Sequence, residues 1–257
     1  MTRPNVIAAI STKRAVIFDL FHTLTSLEST WGDNRPMTSA VLGISKDAWN
    51  QQLFECSRDR LIGKKTDALA IVRDMARAID PSISDEVIRN ATENRIARFA
   101  AALVQIPPST RHVLQSLRQS GKRIGLISNA DVMEVAAWAK SPIADQFDST
   151  IFSCHAGYAK PDPEIYRLSL SELGVQASDA IFVGDGGCNE LEGAQALGIT
   201  TVMITGIIRE LWPEKIPQRR PHADFEIEGL SELIASTKER GQPTAHVTAE
   251  VKLSQQQ

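Results

Sequence analysis

The sequence predicts an α/β fold: a doubly wound parallel sheet with a helical module inserted after its first strand. Three observations carry that prediction. Short apolar runs alternate with helical patterns, glycines follow the helices, and one long early stretch is helical in period with no strand.

The runs Ala15–Asp19, Arg123–Ile127, Ser149–Phe152, Ala180–Val183 and Thr201–Ile204 each read as a strand. They are nearly continuous in apolar character rather than alternating, as expected of strands covered on both faces. Ser109–Ser120, Asp162–Leu173 and Leu191–Leu197 read as intervening helices, with Gly121, Gly174 and Gly198 placed for left-handed C-caps. Between 28 and 105 the period changes to three helical stretches, 45–63, 66–79 and 84–103, with Ser45, Thr66 and Ser84 as N-caps. Ala68, Val72, Met75 and Ile79 share one face of the second stretch. Ile88, Ala91, Arg95, Phe99 and Leu103 share one face of the third, where the Arg95 stem is available for packing. The expected organisation is a flexible start (1–13), a core of 14–27 and 106–238, a helical cap (28–105) and a flexible tail (239–257).

A chain of 257 residues suffices for one core domain with a modest insertion. Its net charge of -3 argues against a nucleic-acid binder held by phosphate neutralisation. No apolar run reaches the roughly 18–20 residues of a membrane span, and the apolar stretch in the first ten residues is too short for a signal peptide. Cys56, Cys154 and Cys188 are odd in number, far apart and without metal-like spacing, which fits a reducing compartment. The expectation is a cytoplasmic protein that binds neither nucleic acid nor membrane. Nothing in the sequence fixes an oligomeric state.

The chemistry gathers at strand ends, where open α/β sheets bind ligands. The first strand ends in Asp19-Leu20-Phe21-His22-Thr23-Leu24, the second in Ser128-Asn129-Ala130. After the third comes Lys160-Pro161-Asp162-Pro163, and after the fourth Gly184-Asp185-Gly186-Gly187-Cys188-Asn189-Glu190. Each has a bland alternative: a turn-capping Asp, a Ser/Asn turn, a surface lysine, and a Gly-rich loop with helix-capping acids. The acids at 185 and 190 also suit a hard cation with oxygen ligands.

Asp, Ser, Lys and Asp at four successive strand ends resemble the haloacid dehalogenase-like (HAD) hydrolase superfamily, its Rossmann-like core and its subgroup with a small α-helical cap. Asp19 matches the first motif, Ser128 the second, Lys160 the third, and Gly184-Asp185 with Glu190 and Gly193-Ala194 the fourth. The resemblance spans roughly 14–235. It implies that Asp19 is a nucleophile that forms a covalent intermediate, with Ser128 and Lys160 catalytic. It implies Mg²⁺ held by Asp19, the Phe21 carbonyl and Asp185, and a small, anionic substrate.

One position departs from the pattern. Phosphatases of this family usually carry an acid two residues after the nucleophile, and here Phe21 stands there. An aromatic at that place resembles the dehalogenase branch, whose halide leaves without a proton. That branch replaces the metal-binding Asp, however, and Asp185 is retained. It also uses a cap arginine, for which Arg35, Arg58 and Arg60 are available. A third branch, the phosphonoacetaldehyde hydrolases, uses a cap lysine, and Lys46, Lys64 and Lys65 lie in the cap; a phosphoryl-ligand-binding or interaction protein with weak turnover is the non-enzyme alternative. Phe21, His22, Asn129, Trp31 and Arg35 are the expected substrate contacts, with a packed Trp31 and solvated Arg35 as the alternative. Arg209, Arg219 and Arg220 form a basic cluster expected to face solvent.

Overall fold

A computed structural model describes residues 5–27, 34–55 and 58–234. Within them β1 (Ala15–Phe18), β2 (Arg123–Ser128), β3 (Ser149–Phe152), β4 (Ala180–Gly184), β5 (Thr200–Ile204) and β6 (Phe225–Ile227) form one sheet. The order is β3-β2-β1-β4-β5-β6, and every pairing is parallel. The chain reverses its winding between β1 and β4. That switch point leaves a crevice beyond their carboxyl ends, and Asp19 and Asp185 flank it.

Alternation along the strands explains their continuous apolar character. Val16, Phe18, Ile124, Leu126, Ile181 and Val183 pack on one side with Val113, Leu114 and Leu117 of the Pro108–Gln119 helix. Ala15, Ile17, Ile127 and Phe182 pack on the other with Ile165, Tyr166 and Leu170 of the Pro163–Leu173 helix. Gly121, Gly174 and Gly198 take φ of +80°, +60° and +82° at helix ends, as expected of left-handed C-caps.

The helices between Thr38 and Val104 build a separate apolar cluster from Leu42, Trp49, Ile71, Val72, Met75, Ile88 and Ala91, joined by Met133 from the short Val132–Val135 helix after β2. Ser45 and Ser84 accept from the Ala48 and Val87 N–H groups at 3.1 and 3.3 Å, as N-caps should. The middle cap is Asp67 rather than Thr66: its carboxylate accepts from the Ala70 N–H at 2.8 Å, and the helix starts at Ala68. The 45–63 stretch contains two helices, Lys46–Glu55 and Arg58–Leu61, and Thr38–Leu42 precedes them.

One further expectation is corrected, and one strand was not anticipated. Val6–Thr12 is helical, not frayed: Asn5 Oδ1 accepts from the Ile7 N–H at 2.9 Å, and Ile10 is buried in the core. Seven residues with one buried position show no readable period. β6 escapes notice because it is a three-residue edge strand, paired through Val202 and Phe225. The predicted 239–257 tail, Trp31 and Cys56 lie outside the described residues. No described helix is long and apolar enough to cross a membrane.

A buried ion network joins the inserted helices to the sheet. Arg60 Nη1 lies 2.8 Å from Asp131 Oδ2 and 3.6 Å from Glu134 Oε1, while Arg95 pairs with Glu134 and lies 3.8 Å from Asp131. All four side chains are buried. Asp131 also caps the Val132–Val135 helix by accepting from Met133 and Glu134 N–H groups. Burial pushes the Glu134 carboxyl up and Asp131 adds to that, while Arg95 and Arg60 pull it down. Asp131→Ala removes a partner from two buried guanidiniums together with the cap. We expect a loss of about 3–5 kcal/mol in unfolding free energy, measured by urea denaturation; a loss below about 1 kcal/mol is the signature of a solvated pair and contradicts this burial.

Candidate active site

Asp19 is the first residue past β1, and its N–H donates to Val183 O at 2.9 Å, so the ladder between β1 and β4 fixes its main chain. Lys160 Nζ reaches Asp19 Oδ1 at 2.5 Å and Glu190 Oε2 at 2.5 Å. The second Asp19 oxygen, Oδ2, accepts from Thr23 Oγ1 at 3.2 Å. Asn129 is bonded to Lys160 at both ends of its amide: it donates to Lys160 O at 2.8 Å and accepts from Lys160 N at 2.7 Å. The group expected to contact substrate therefore fastens the loop after β2 to that carrying Lys160.

The loop after β4 has little freedom. Gly184 lies so close to Glu190 that an added Cβ would sit 2.1 Å from Oε1. That oxygen accepts from the Gly186 N–H at 2.9 Å, and Tyr166 OH donates to Glu190 O at 2.8 Å. Asp185 Oδ1 accepts from the Gly187 N–H at 2.7 Å. Cys188 and Asn189 take φ of +52° and +53°, and His22 in the first loop takes +62°. Such conformations cost non-glycine residues energy and collect at functional sites.

One oxygen each of Asp19, Asp185 and Glu190 lies within 4.8 Å of the others, and all three residues are buried. This hard, all-oxygen set suits a divalent cation such as Mg²⁺. Burial pushes Glu190 up to about 8, Lys160 partly opposing it and the neighbouring Asp19 and Asp185 reinforcing it. Burial likewise raises Asp19, against the pull of Lys160. Burial alone would lower Lys160, but the facing Asp19 and Glu190 carboxylates prevail and raise it, so the ammonium is retained. Ser128 Oγ is buried without a hydrogen-bond partner among the described residues. An unsatisfied buried hydroxyl costs about 1–3 kcal/mol, which a ligand oxygen would relieve.

The remaining expected residues separate. The half-buried Phe21 packs edge-on against Phe99 of the inserted helices, centroids 5.2 Å apart, and Arg95 lies over the Phe99 ring at 4.7 Å. His22 meets Trp212 edge-on at 5.0 Å; its left-handed φ replaces the extended geometry on which adjacent side chains would alternate. Arg35 is exposed, beside Pro36 whose carbonyl accepts from Asn94 at 2.7 Å. Arg58 pairs with Asp162 at 3.0 Å near the surface, whereas Arg60 is committed to the buried network. Lys46, Lys64 and Lys65 are exposed.

Arg219 departs from the expected solvent-facing cluster. Its Nη1 donates to both Asp185 O and Asp185 Oδ2 at 2.9 Å, and its side chain is 15% exposed. Arg209 and Arg220, at 51% and 55%, do face solvent.

Asp, Ser, Lys and Asp, carried past four successive strands to the switch point of a parallel sheet, define an α/β protein with a carboxylate-centred site. Residues 13–207 match the family of haloacid dehalogenase-like hydrolases, and the chain belongs to it. Glyceraldehyde 3-phosphate phosphatase of Pyrococcus abyssi is 36% identical over 98 residues, 37% of this chain and only 40% of that protein. (S)-2-haloacid dehalogenase 4A of Burkholderia cepacia is 26% identical over 201 residues, 76% of this chain and 84% of that protein. The fold is that of L-2-haloacid dehalogenase from Xanthobacter autotrophicus with chloropropionic acid covalently bound: TM-score 0.60, 19% identity, 86% of this chain and 96% of that one. The chain thus resembles proteins of both chemistries.

Gly184→Ala probes the packing of the site. Its methyl group must displace the Glu190 carboxylate from Lys160 and Gly186. We expect a fall in kcat on the order of 10²-fold with secondary structure retained, read by turnover and circular dichroism; unchanged turnover in the folded variant contradicts the close approach.

Proposed function

We propose that this hydrolase transfers the phosphoryl group of a small anionic substrate to Asp19 and then to water, with Mg²⁺ bound. The carrying observation is the meeting of the Asp19, Asp185 and Glu190 oxygens within 4.8 Å. Burial pushes both Asp19 and Glu190 up, and a further cation beside these carboxyl groups would offset that push. Asp19, Asp185 and the Phe21 carbonyl would hold Mg²⁺, which when bound lowers the repulsion between Asp19 and an incoming phosphate.

In this reading Lys160 pins Asp19 Oδ1 and Oδ2 is the attacking atom. Oδ2 forms the new bond to phosphorus as the leaving oxygen departs with its electron pair, and water then cleaves the acyl phosphate. Ser128 Oγ, without a partner among the described residues, donates to a phosphoryl oxygen, and Lys160 offsets developing charge. Phe21 supplies no proton, so the substrates favoured are those whose leaving group is weakly basic. Arg35 is assigned to the substrate's anionic end, and Trp31 to covering the substrate.

A second reading, 2-haloacid dehalogenation, is favoured by the apolar Phe21–Phe99 contact in place of an acid. There Asp19 attacks carbon and halide leaves unprotonated. Both readings require Asp19, so Asp19→Asn should abolish turnover on any substrate found in a screen of phosphorylated metabolites and 2-haloacids; activity within about tenfold of wild type removes Asp19 from the role. Phosphate release that stops with excess chelator supports the first reading, and halide release that persists in chelator replaces it with the second.

Phe21→Asp separates them further. General acid catalysis is worth about 10²–10⁴-fold, and an alkyl phosphate, which leaves as a strongly basic alkoxide, should gain most. A nitrophenyl phosphate should gain little. A folded, Mg²⁺-binding variant with no gain on alkyl phosphates counts against phosphoester hydrolysis.

A further inference from the structure

We propose that Arg219 is a positioning residue that sets how strongly the site takes up a divalent cation: its guanidinium is a resident positive charge on Asp185 that orders this carboxylate and lowers its affinity for Mg²⁺. The inference rests on the reading in which Asp185 is a Mg²⁺ ligand. Arg219 Nη1 holds Asp185 by main chain and side chain together, at 2.9 Å from O and 2.9 Å from Oδ2. With the Gly187 N–H on Oδ1 at 2.7 Å, both carboxylate oxygens already have a donor, which fixes the rotation of the group.

The loop is shaped to take this side chain. Gly186 has φ of +85°, and a Cβ there would lie 3.0, 3.2 and 3.0 Å from Arg219 Cβ, Cγ and Cδ. A side chain at 186 would be both strained and obstructed, so the arginine stem lies over the glycine.

Charge decides the direction of the effect. Arg219 is the positive group bonded to Asp185, while Lys160 faces Asp19 and Glu190. Removing Arg219 leaves the Asp185 carboxylate without that positive partner, a place that a divalent cation can take. It also removes a like charge that is bonded to the same carboxylate and repels the cation at close range. Arg219 therefore orders the acid and opposes the metal through the same contact.

The test is calorimetric titration of the full chain with Mg²⁺ alone, so no substrate or turnover is involved. Arg219→Gln should bind Mg²⁺ at least about tenfold more tightly than wild type, while Arg219→Lys, which keeps the charge, should stay near wild type. Arg219→Met retains the apolar stem over Gly186 and replaces the Gln variant if that does not fold. Equal or weaker binding by the neutral variants overturns the proposal, because a merely structural arginine would loosen Asp185 and weaken the metal. Binding that tightens in Arg219→Gln and Arg219→Lys alike overturns it too, since the charge then has no part. Asp185→Asn tests the underlying reading separately: if it leaves Mg²⁺ binding unchanged, Asp185 is not a ligand and the reading falls. If Asp185→Asn weakens binding while Arg219→Gln does not tighten it, the inference alone falls.

Discussion

The Lys160 side chain, held between Asp19 and Glu190, is the contact on which the site depends. Buried carboxylates on adjacent loops repel each other, and without a cation between them either the loops separate or the acids take up protons. At about 4 Å a unit pair contributes roughly 4 kcal/mol at an effective dielectric near 20, so one ammonium facing two acids is a strong restraint. Its consequences extend beyond its own charge. Nζ ties the loop after β1 to the residue that starts the Glu190–Ala196 helix, and the Lys160 main chain is clasped by Asn129 from the loop after β2. Four strand ends are thus fastened through one residue, which is why their side chains meet although they lie far apart in sequence.

Phe21 has a comparable structural part at the boundary between sheet and inserted helices. Where acid-bearing members of the family place a proton donor, this chain places a ring against Phe99. Phe99 lies under Arg95, and Arg95 pairs with Glu134. The aromatic contact and the buried ion network are therefore one continuous connection between the cap helices and the loop after β2. A carboxylate at 21 would face an aromatic wall and lose hydration without gaining a designed partner. The change at 21 thus removes proton donation and strengthens the seating of the cap together.

Much of this was legible because pattern and chemistry coincide at the strand ends. Strands buried on both faces leave continuous apolar runs, so β1 to β5 were visible, and each of Asp19, Ser128, Lys160 and Asp185 followed such a run. Arg95 was visible as a charge on an apolar helix face, but its partner Glu134 lies 39 residues on, a distance over which sequence spacing carries no geometry. Arg219 was obscured in another way. It stands beside Arg220 in a run that reads as surface, yet only Arg219 turns inward, toward a partner 34 residues upstream. β6 and the Val6–Thr12 helix are too short for periodicity to reveal.

Phe21 and Arg219 mark the two places where this site differs from what its four strand-end residues alone would imply. Phe21 puts an aromatic ring where a proton donor would stand, and Arg219 puts a positive charge on Asp185, the acid that the proposed function assigns to the metal. In a displacement at Asp19 the leaving group needs help in proportion to its basicity, from a proton or from positive charge nearby. A site without the proton and with part of its positive charge supplied by arginine is matched to leaving groups stable as anions. An activated phosphate and a halide both meet that condition. The phosphatase and dehalogenase readings are therefore both compatible with this arrangement of Asp19, Ser128 and Lys160, and under the proposed function a cation at Asp185 is what would distinguish them.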